Sequence, residues 1–258
     1  HNAIMRPLHL MEEKYQIEIA QLPLNDDLTI DLEKTEYLFG IKEPKAVFLT
    51  QVSNVTGYIL PIEKLSKLTK KHKGKVVVDS SQSLGLININ LNESLVDYMI
   101  FAGHKNLYGP LGMGGFFIRK SERLKTVLAG GTGSDSLNLN MPQSIPGMFE
   151  PASPNIVAIA GLKAAIEETD TDYCLEHERK LINYIAKKIS RNKNIVTYLP
   201  PEHLRTGIMA FNIKGYSASD VGMILDEDFN IAVRTGYHCA PLIHEHLKDK
   251  NFTGVVRA

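Results

Sequence analysis

Val76-Val77-Val78-Asp79-Ser80-Ser81-Gln82-Ser83 is the stretch that decides how this chain folds. An unbroken β-branched run is the pattern of a strand covered on both faces of a parallel sheet, and here it stops on a carboxylate. Open α/β sheets bind their ligands outside the carboxyl ends of such strands. Asp79 therefore either faces a ligand or caps the next helix. Working outward, Ala46-Val47-Phe48-Leu49-Thr50 lies upstream, and Tyr98-Met99-Ile100-Phe101 and Gly115-Phe116-Phe117-Ile118 lie downstream. Between the first two runs, Ile62, Leu65 and Leu68 recur at three-residue spacing ahead of Lys70-Lys71-His72-Lys73-Gly74. That is an amphipathic helix with a cationic last turn and a terminal glycine, and the basic run is expected as a solvated helix end. Strands alternating with such helices predict βαβ units and a mostly parallel sheet with flanking helices.

Gly, Ser, Asn and Pro dominate 130–154, which predicts a loop, with Gly130-Gly131-Thr132-Gly133-Ser134 as a substrate-side or dimer-contact segment. A helix is predicted over 155–168, and a second from the spacing of Leu175, Ile182, Ile185 and Ile189. Shorter strands return beyond Ile195, as in Gly207-Ile208-Met209-Ala210-Phe211 and Asn230-Ile231-Ala232-Val233. The change of pattern near residue 170 predicts a large domain over 1–169 and a small α+β domain over 170–258.

Composition narrows the functional classes. With 258 residues the chain can bury a core without disulfides or a structural metal. Its 29 basic residues balance 29 acidic ones, so no general field draws it to nucleic acid or an anionic membrane. No apolar run approaches the roughly 18–20 residues of a membrane span. Only two cysteines are present, Cys174 and Cys239, which fits a reducing compartment and a cytoplasmic location. The chain starts at His1 and stops inside the β-rich Val255-Val256-Arg257-Ala258, and it is expected to be a portion of a longer protein, truncated at both ends.

Chemistry concentrates in Gly103-His104-Lys105-Asn106-Leu107-Tyr108-Gly109. A lysine just after an apolar strand, with glycines on both sides, sits where the backbone can fold around a flat ligand. Buried beside other cations, a lysine amine loses its proton readily and can form a Schiff base. Asp79 and Lys105 on successive strand ends match pyridoxal 5'-phosphate, which needs a lysine for its aldehyde and a carboxylate for its pyridinium nitrogen.

Further short motifs extend this pair in order along the chain: His1-Asn2-Ala3, Ser53-Asn54-Val55-Thr56-Gly57, Asp79-Ser80-Ser81-Gln82, Gly103-His104-Lys105, Phe149-Glu150-Pro151-Ala152-Ser153-Pro154-Asn155 and Arg234-Thr235-Gly236-Tyr237-His238-Cys239-Ala240. The series resembles the pyridoxal-phosphate cysteine desulfurases of the class V aminotransferase superfamily, selenocysteine lyase-like sequences included. The resemblance implies the aspartate aminotransferase-like fold of type I, a homodimer, L-cysteine as substrate and a sulfur-acceptor protein as partner. It makes Lys105 the cofactor's Schiff-base lysine and Asp79 the partner of the pyridine nitrogen. Gln82 and Asn54 would donate to the phenolate oxygen, with Asn54 also near the substrate carboxylate. His1 would stack on the ring and move protons, His104 would contact the phosphate, and Ser153 would reach the phosphate of the partner subunit's cofactor. Arg257 would fork onto the substrate carboxylate, with Arg234 beside it on the substrate side.

Cys239 decides between reaction types. Its polar, turn-forming context with an adjacent histidine and a nearby arginine favours a thiolate, which marks it as the nucleophile, whereas Cys174 on a helix reads as packing. A class V aminotransferase or a selenocysteine lyase is the alternative, and a non-catalytic sulfur-passing or partner-binding relative a second. His238, His244, Glu245 and His246 are of ligand type, but their spacing matches no zinc pattern, and the histidines are expected to be solvated. The chain departs from the family's usual pattern at Ala102, where a hydroxyl residue is common, and at Ala152-Ser153, where Gly-Thr is. The family's phosphate-binding loop corresponds to sequence upstream of His1.

Overall fold

Two four-stranded sheets follow one another along the chain in the computed structural model, which describes every residue except Asp135. The first half runs α1 (Asn2–Tyr15), α2 (Leu32–Ile41), β1 (Ala46–Thr50), α3 (Ile62–Lys71), β2 (Lys75–Asp79), β3 (Tyr98–Ala102) and β4 (Gly114–Ile118). The strands lie in the order β1-β2-β3-β4, the first three parallel and β4 antiparallel to β3. Register places Thr50, Asp79 and Ile100 side by side, so the strand ends form one ledge. Val47, Leu49, Val76, Val78 and Met99 point to the face covered by Phe39 of α2 and Leu65 of α3. On the other face Phe48, Ile100 and Phe116 are exposed.

The second half holds α4 (Ile156–Glu168), α5 (Thr171–Ile189), β5 (Ile195–Thr197), β6 (Ala210–Ile213), α6 (Ala218–Phe229), β7 (Arg234–Gly236), α7 (Ile243–Leu247) and β8 (Val255–Arg257). Its strands are antiparallel in the order β5-β6-β8-β7. Side-chain caps fix the helix starts: Asn155 accepts from the Ala158 amide, Asp170 from Tyr173, and Ser217 forms a capping box with Asp220. The loop over 130–154 is irregular apart from a 3₁₀ turn at Gly147–Phe149, and Asp135 within it lies outside the described residues.

Three local expectations are corrected. The strand expected from Gly207 starts late: the Gly207 amide donates to the Glu178 carboxylate instead of a ladder, Met209 exchanges backbone hydrogen bonds with Ala258, and β6 starts at Ala210. No strand forms at Asn230-Ile231-Ala232-Val233, because Asn230 turns left-handed (φ 53°) to close α6 and the Ile231 amide is spent on the Leu225 carbonyl. The basic run ending α3 is only partly solvated. Lys70 turns inward onto the buried Asp97 carboxylate, while Lys73 rather than Gly74 takes the left-handed conformation (φ 57°). Gly74 is required for space, since a Cβ there would sit 2.8 Å from the Pro44 carbonyl oxygen.

Candidate active site

The ledge at the carboxyl ends of β1, β2 and β3 is built from three loops tied to one another. After β1, the Gln51 amide donates to the Asp79 carbonyl at 2.9 Å, and Gln51 Oε1 accepts from Ser83 Oγ at 2.6 Å. After β2, the Ser80 amide and hydroxyl both donate to the Ile100 carbonyl. The turn after β3 is closed by the Gly109 amide on the Gly103 carbonyl, and Asn106 Nδ2 donates to the Gln82 carbonyl at 2.7 Å. Gly85 (φ 95°) makes that last contact possible, because a Cβ there would fall 2.1 Å from the Asn106 carbonyl oxygen. Lys105 is thereby held on a rigid turn beside the half-buried Gln82.

The second sheet brings its own groups to the ledge. Val55 is fully buried in the core made by Tyr198, Ala210, Ala240, Leu247 and Val255, burial worth about 1.5–3 kcal/mol. This anchors the neighbouring Asn54 between the two sheets. Asn54 Nδ2 donates to the His238 carbonyl at 2.7 Å, and the Asn54 carbonyl accepts from Arg257 Nη1 at 2.8 Å. β7 ends in a turn with Gly236, His238 and Cys239 all left-handed (φ 100°, 49° and 58°). For residues with a side chain that conformation costs about 1–3 kcal/mol each, so donors from elsewhere must hold it. The Cys239 carbonyl accepts the Asn2 amide at the start of α1 (2.7 Å), the His238 carbonyl takes Asn54, and the Tyr237 carbonyl takes the Ala240 amide. The exposed Cys239 sulfur lies 4.0 Å from Arg234 Nη2.

Electrostatics link these groups around one amine. Lys105 is pushed below the usual lysine range, mainly by burial; Asp79 opposes the shift, and Arg257 and Arg234 add to it. Cys239 also acts on it. Arg257 is itself lowered, by burial first and then by Arg234. Asp79 Oδ1 accepts the Ser81 amide at 2.9 Å within a turn; among the described residues no helix stands between β2 and β3 for it to cap, and its charge reaches Lys105. His1 caps α1 through Nδ1, which accepts the Ala3 amide at 3.1 Å, next to the Asn2 amide that donates to the Cys239 carbonyl.

The structure thus brings together Lys105, Asp79, Gln82, Asn54, His1, Arg257, Arg234 and Cys239. His104 and Ser153 are exposed, and among the described residues neither joins this hydrogen-bond network. Ala152 stands at φ 91°, where its Cβ is strained. The expectation of solvated histidines holds for His246 and fails for His238 and His244, which are buried.

His238 donates Nε2–H to the Val255 carbonyl at 3.0 Å, and its Nδ1 is buried without a partner. Burial, with Arg257, Arg234 and His244 nearby, pushes its pKa down from 6.5 to about 4. The unfolded chain binds this proton near pH 6.5 and the folded one does not, so the contribution is complete above that pH and is lost as pH falls toward 4. Stability should fall by up to about 1.4 kcal/mol per pH unit across this window. Melting temperatures measured between pH 7 and 4 should show that slope in the wild type and a shallower one in His238→Gln; equal slopes would remove His238 as its source.

The whole of residues 1–258 matches the profile of the family described as Aminotransferase class-V. The chain belongs to the class V aminotransferase family. Members of this family depend on pyridoxal phosphate. Among curated relatives, cysteine desulfurases of Escherichia coli O127:H6 and Salmonella agona are each 32% identical over 248 residues, 93% of this chain. Among solved structures, the apo cysteine desulfurase of Thermococcus onnurineus NA1 superposes with a TM-score of 0.88 at 29% identity. The cysteine desulfurase CsdA of Escherichia coli, in its S-sulfonic acid form, does so with a TM-score of 0.87 at 25% identity. Both structural comparisons cover 100% of this chain. The chain spans 60% of the length of those curated relatives and 65% and 64% of those two structures.

The class V aminotransferase fold therefore accounts for the mixed, mostly parallel first sheet and the ledge at its strand ends. Within this class V aminotransferase, reading from the sequence missed two contacts to the Cys239 turn: the Asn2 amide on the Cys239 carbonyl and the His244 ring on the Tyr237 carbonyl. The histidine was visible as a residue, but nothing in its spacing distinguishes a buried ring from a solvated one.

Proposed function

We propose that the protein is a cysteine desulfurase that removes sulfur from L-cysteine, leaving L-alanine and a persulfide on Cys239 for a sulfur acceptor. The observation that carries the reading is the convergence of Asp79, Arg257, Arg234 and Cys239 on the Lys105 amine. These residues fit pyridoxal phosphate: an amine depressed by burial suits a Schiff base, and a carboxylate at the neighbouring strand end suits a pyridinium nitrogen. When bound, the cofactor supplies an electron sink for the carbanion formed at the substrate Cα.

The chain's own groups do the rest. Lys105 would hold the cofactor, and Asp79 would keep its ring nitrogen protonated. Gln82 and Asn54 would donate to its phenolate oxygen, and His1 would cover its face. His104 would contact its phosphate, and Ser153 would reach the phosphate of a second subunit's cofactor in a homodimer. Arg257, pre-aligned by the Asn54 carbonyl, would bind the substrate α-carboxylate with Arg234 beside it. Once displaced by substrate, the Lys105 amine takes the Cα proton. The Cys239 sulfur then attacks the substrate sulfur: the S–S bond forms as the Cβ–S bond breaks. Cβ gains the electron pair and a proton while the transferred sulfur is oxidised, so no outside reductant enters.

Residues 1–169 would form the cofactor domain and 170–258 the small domain. Two free cysteines support a cytoplasmic location, and no helix among the described residues is long and apolar enough to cross a membrane. Full-length protein given pyridoxal phosphate should turn yellow and convert L-cysteine to alanine and sulfide in equal amounts with a thiol reductant present. Amino transfer to a keto acid that survives Cys239→Ala, without sulfide, would replace this reading by an aminotransferase.

A further inference from the structure

His244 lies five residues beyond Cys239, on the short helix α7, and touches none of the groups assigned a role above except through the cysteine turn. It is buried, 5% exposed, and so is Asp249, at 1%. The ring bridges two acceptors. Nδ1 meets the Asp249 carboxylate, and Nε2 meets the Tyr237 carbonyl at 3.2 Å. A carbonyl can only accept, so Nε2 carries a proton and donates to Tyr237, while a second proton lies between Nδ1 and the Asp249 carboxyl group. The face of Tyr237 packs edge-on against the same ring, with centroids 4.9 Å apart. His244 is also near enough to depress His238.

The Tyr237 carbonyl is the first of three consecutive carbonyls in the Cys239 turn. The next two are fixed by Asn54 and by Asn2, from the first sheet's side of the molecule. His244 is the side-chain donor that fixes the turn from the second sheet's side, and Asp249 is what orients it. Both are buried, as suits a second layer that orients a reacting group through hydrogen bonds.

We propose that His244 and Asp249 are positioning residues for Cys239: a buried, hydrogen-bonded histidine–aspartate pair that donates to the Tyr237 carbonyl and keeps the left-handed turn in the one conformation that sets the cysteine sulfur beside Arg234. This rests on the reading of Cys239 as the nucleophile. Asp249 orients the ring, the ring holds the carbonyl, and the carbonyl holds the turn.

The test reads the cysteine and the ring directly, so it does not depend on turnover. In a Cys174→Ser background of the full-length protein, Cys239 is alkylated with iodoacetamide. His244→Phe keeps the ring volume but removes both donors; its Cys239 should react at least about fivefold more slowly, because the sulfur leaves the Arg234 cation. Asp249→Asn lets a neutral ring accept at Nδ1 from the new amide and still donate at Nε2, so its Cys239 should react within about twofold of wild type. Side-chain ¹⁵N–¹H spectra should show a proton on His244 Nε2 in the wild type and in Asp249→Asn.

In turnover, His244→Phe should lower kcat about 10- to 100-fold with KM and the cofactor's visible band unchanged. A wild-type His244 ring without a proton on Nε2, or wild-type alkylation in His244→Phe, overturns the proposal. If His244→Phe does not fold, Asp249→Ala, which removes the partner that orients the ring, should slow Cys239 alkylation at least about fivefold, and a wild-type rate there overturns it. Failure of the desulfurase reading is seen separately, as sulfide release that survives Cys239→Ser while the ring spectrum and alkylation rates stand as expected.

Discussion

Lys105→Ala should leave the full-length protein colourless with pyridoxal phosphate and unable to release alanine or sulfide from L-cysteine. Two functions are lost at once. The amine that anchors the cofactor is gone, and so is the base that moves the Cα proton, which alone is worth roughly 10²–10⁴ in rate. Turnover should therefore drop by at least about 10³-fold. Lys105→Arg should not rescue it, because a guanidinium stays protonated and cannot form the Schiff base. The structural basis is specific: burial and the two arginines already favour the neutral amine, and Asp79 limits how far that goes. The check is an absorption spectrum after gel filtration together with alanine quantification. A Lys105→Ala protein that retains a covalent visible chromophore, or that turns over at more than a small fraction of wild type, would show that another amine carries the chemistry.

How far the sequence reveals such a site depends on what kind of pattern carries it. β2 was legible because the run from Val76 to Val78 is apolar throughout, with Val76 and Val78 buried and Val77 half-buried, and it ends where the ligand edge begins. The start of α4 was legible because Asn155 both stops the preceding loop and caps the first turn. α6 went unread although Ser217 and Asp220 spell a capping box, because Gly222 and the acidic run from Asp226 to Asp228 dilute its apolar stripe. Short strands of the second sheet were displaced by a few residues for a related reason. Their limits are set by competing partners, the Glu178 carboxylate for Gly207 and the α6 carbonyls for Ile231, and no local pattern announces those partners. The same holds at the site. Lys105, Asp79 and Cys239 stand out by residue type, whereas the Asn54 bridge joins residues 184 positions apart and is visible only once the two sheets meet.

Cys239→Ser should separate cofactor chemistry from sulfur transfer. The turn that carries residue 239 is held through its backbone carbonyls by Asn2, Asn54 and Ala240, none of which touches the sulfur. A serine fits the same left-handed conformation, so the fold, the visible band and its change on adding L-cysteine should persist. What disappears is a polarisable nucleophile beside Arg234, 4.0 Å from the guanidinium. A hydroxyl is a far weaker nucleophile at neutral pH, so persulfide formation should stop and sulfide release should fall by at least about 10³-fold. Mass spectrometry of the wild type after a single turnover should find one added sulfur atom on the peptide containing Cys239 and none on the peptide containing Cys174. The second half of that expectation follows from the structure. Cys174 sits on α5 hydrogen-bonded to the Tyr108 hydroxyl, whereas the Cys239 sulfur has Arg234 Nη2 4.0 Å away. Sulfide release at the wild-type rate from Cys239→Ser would remove the persulfide step and leave the Lys105 chemistry intact, which is the pattern of a lyase acting without a protein thiol.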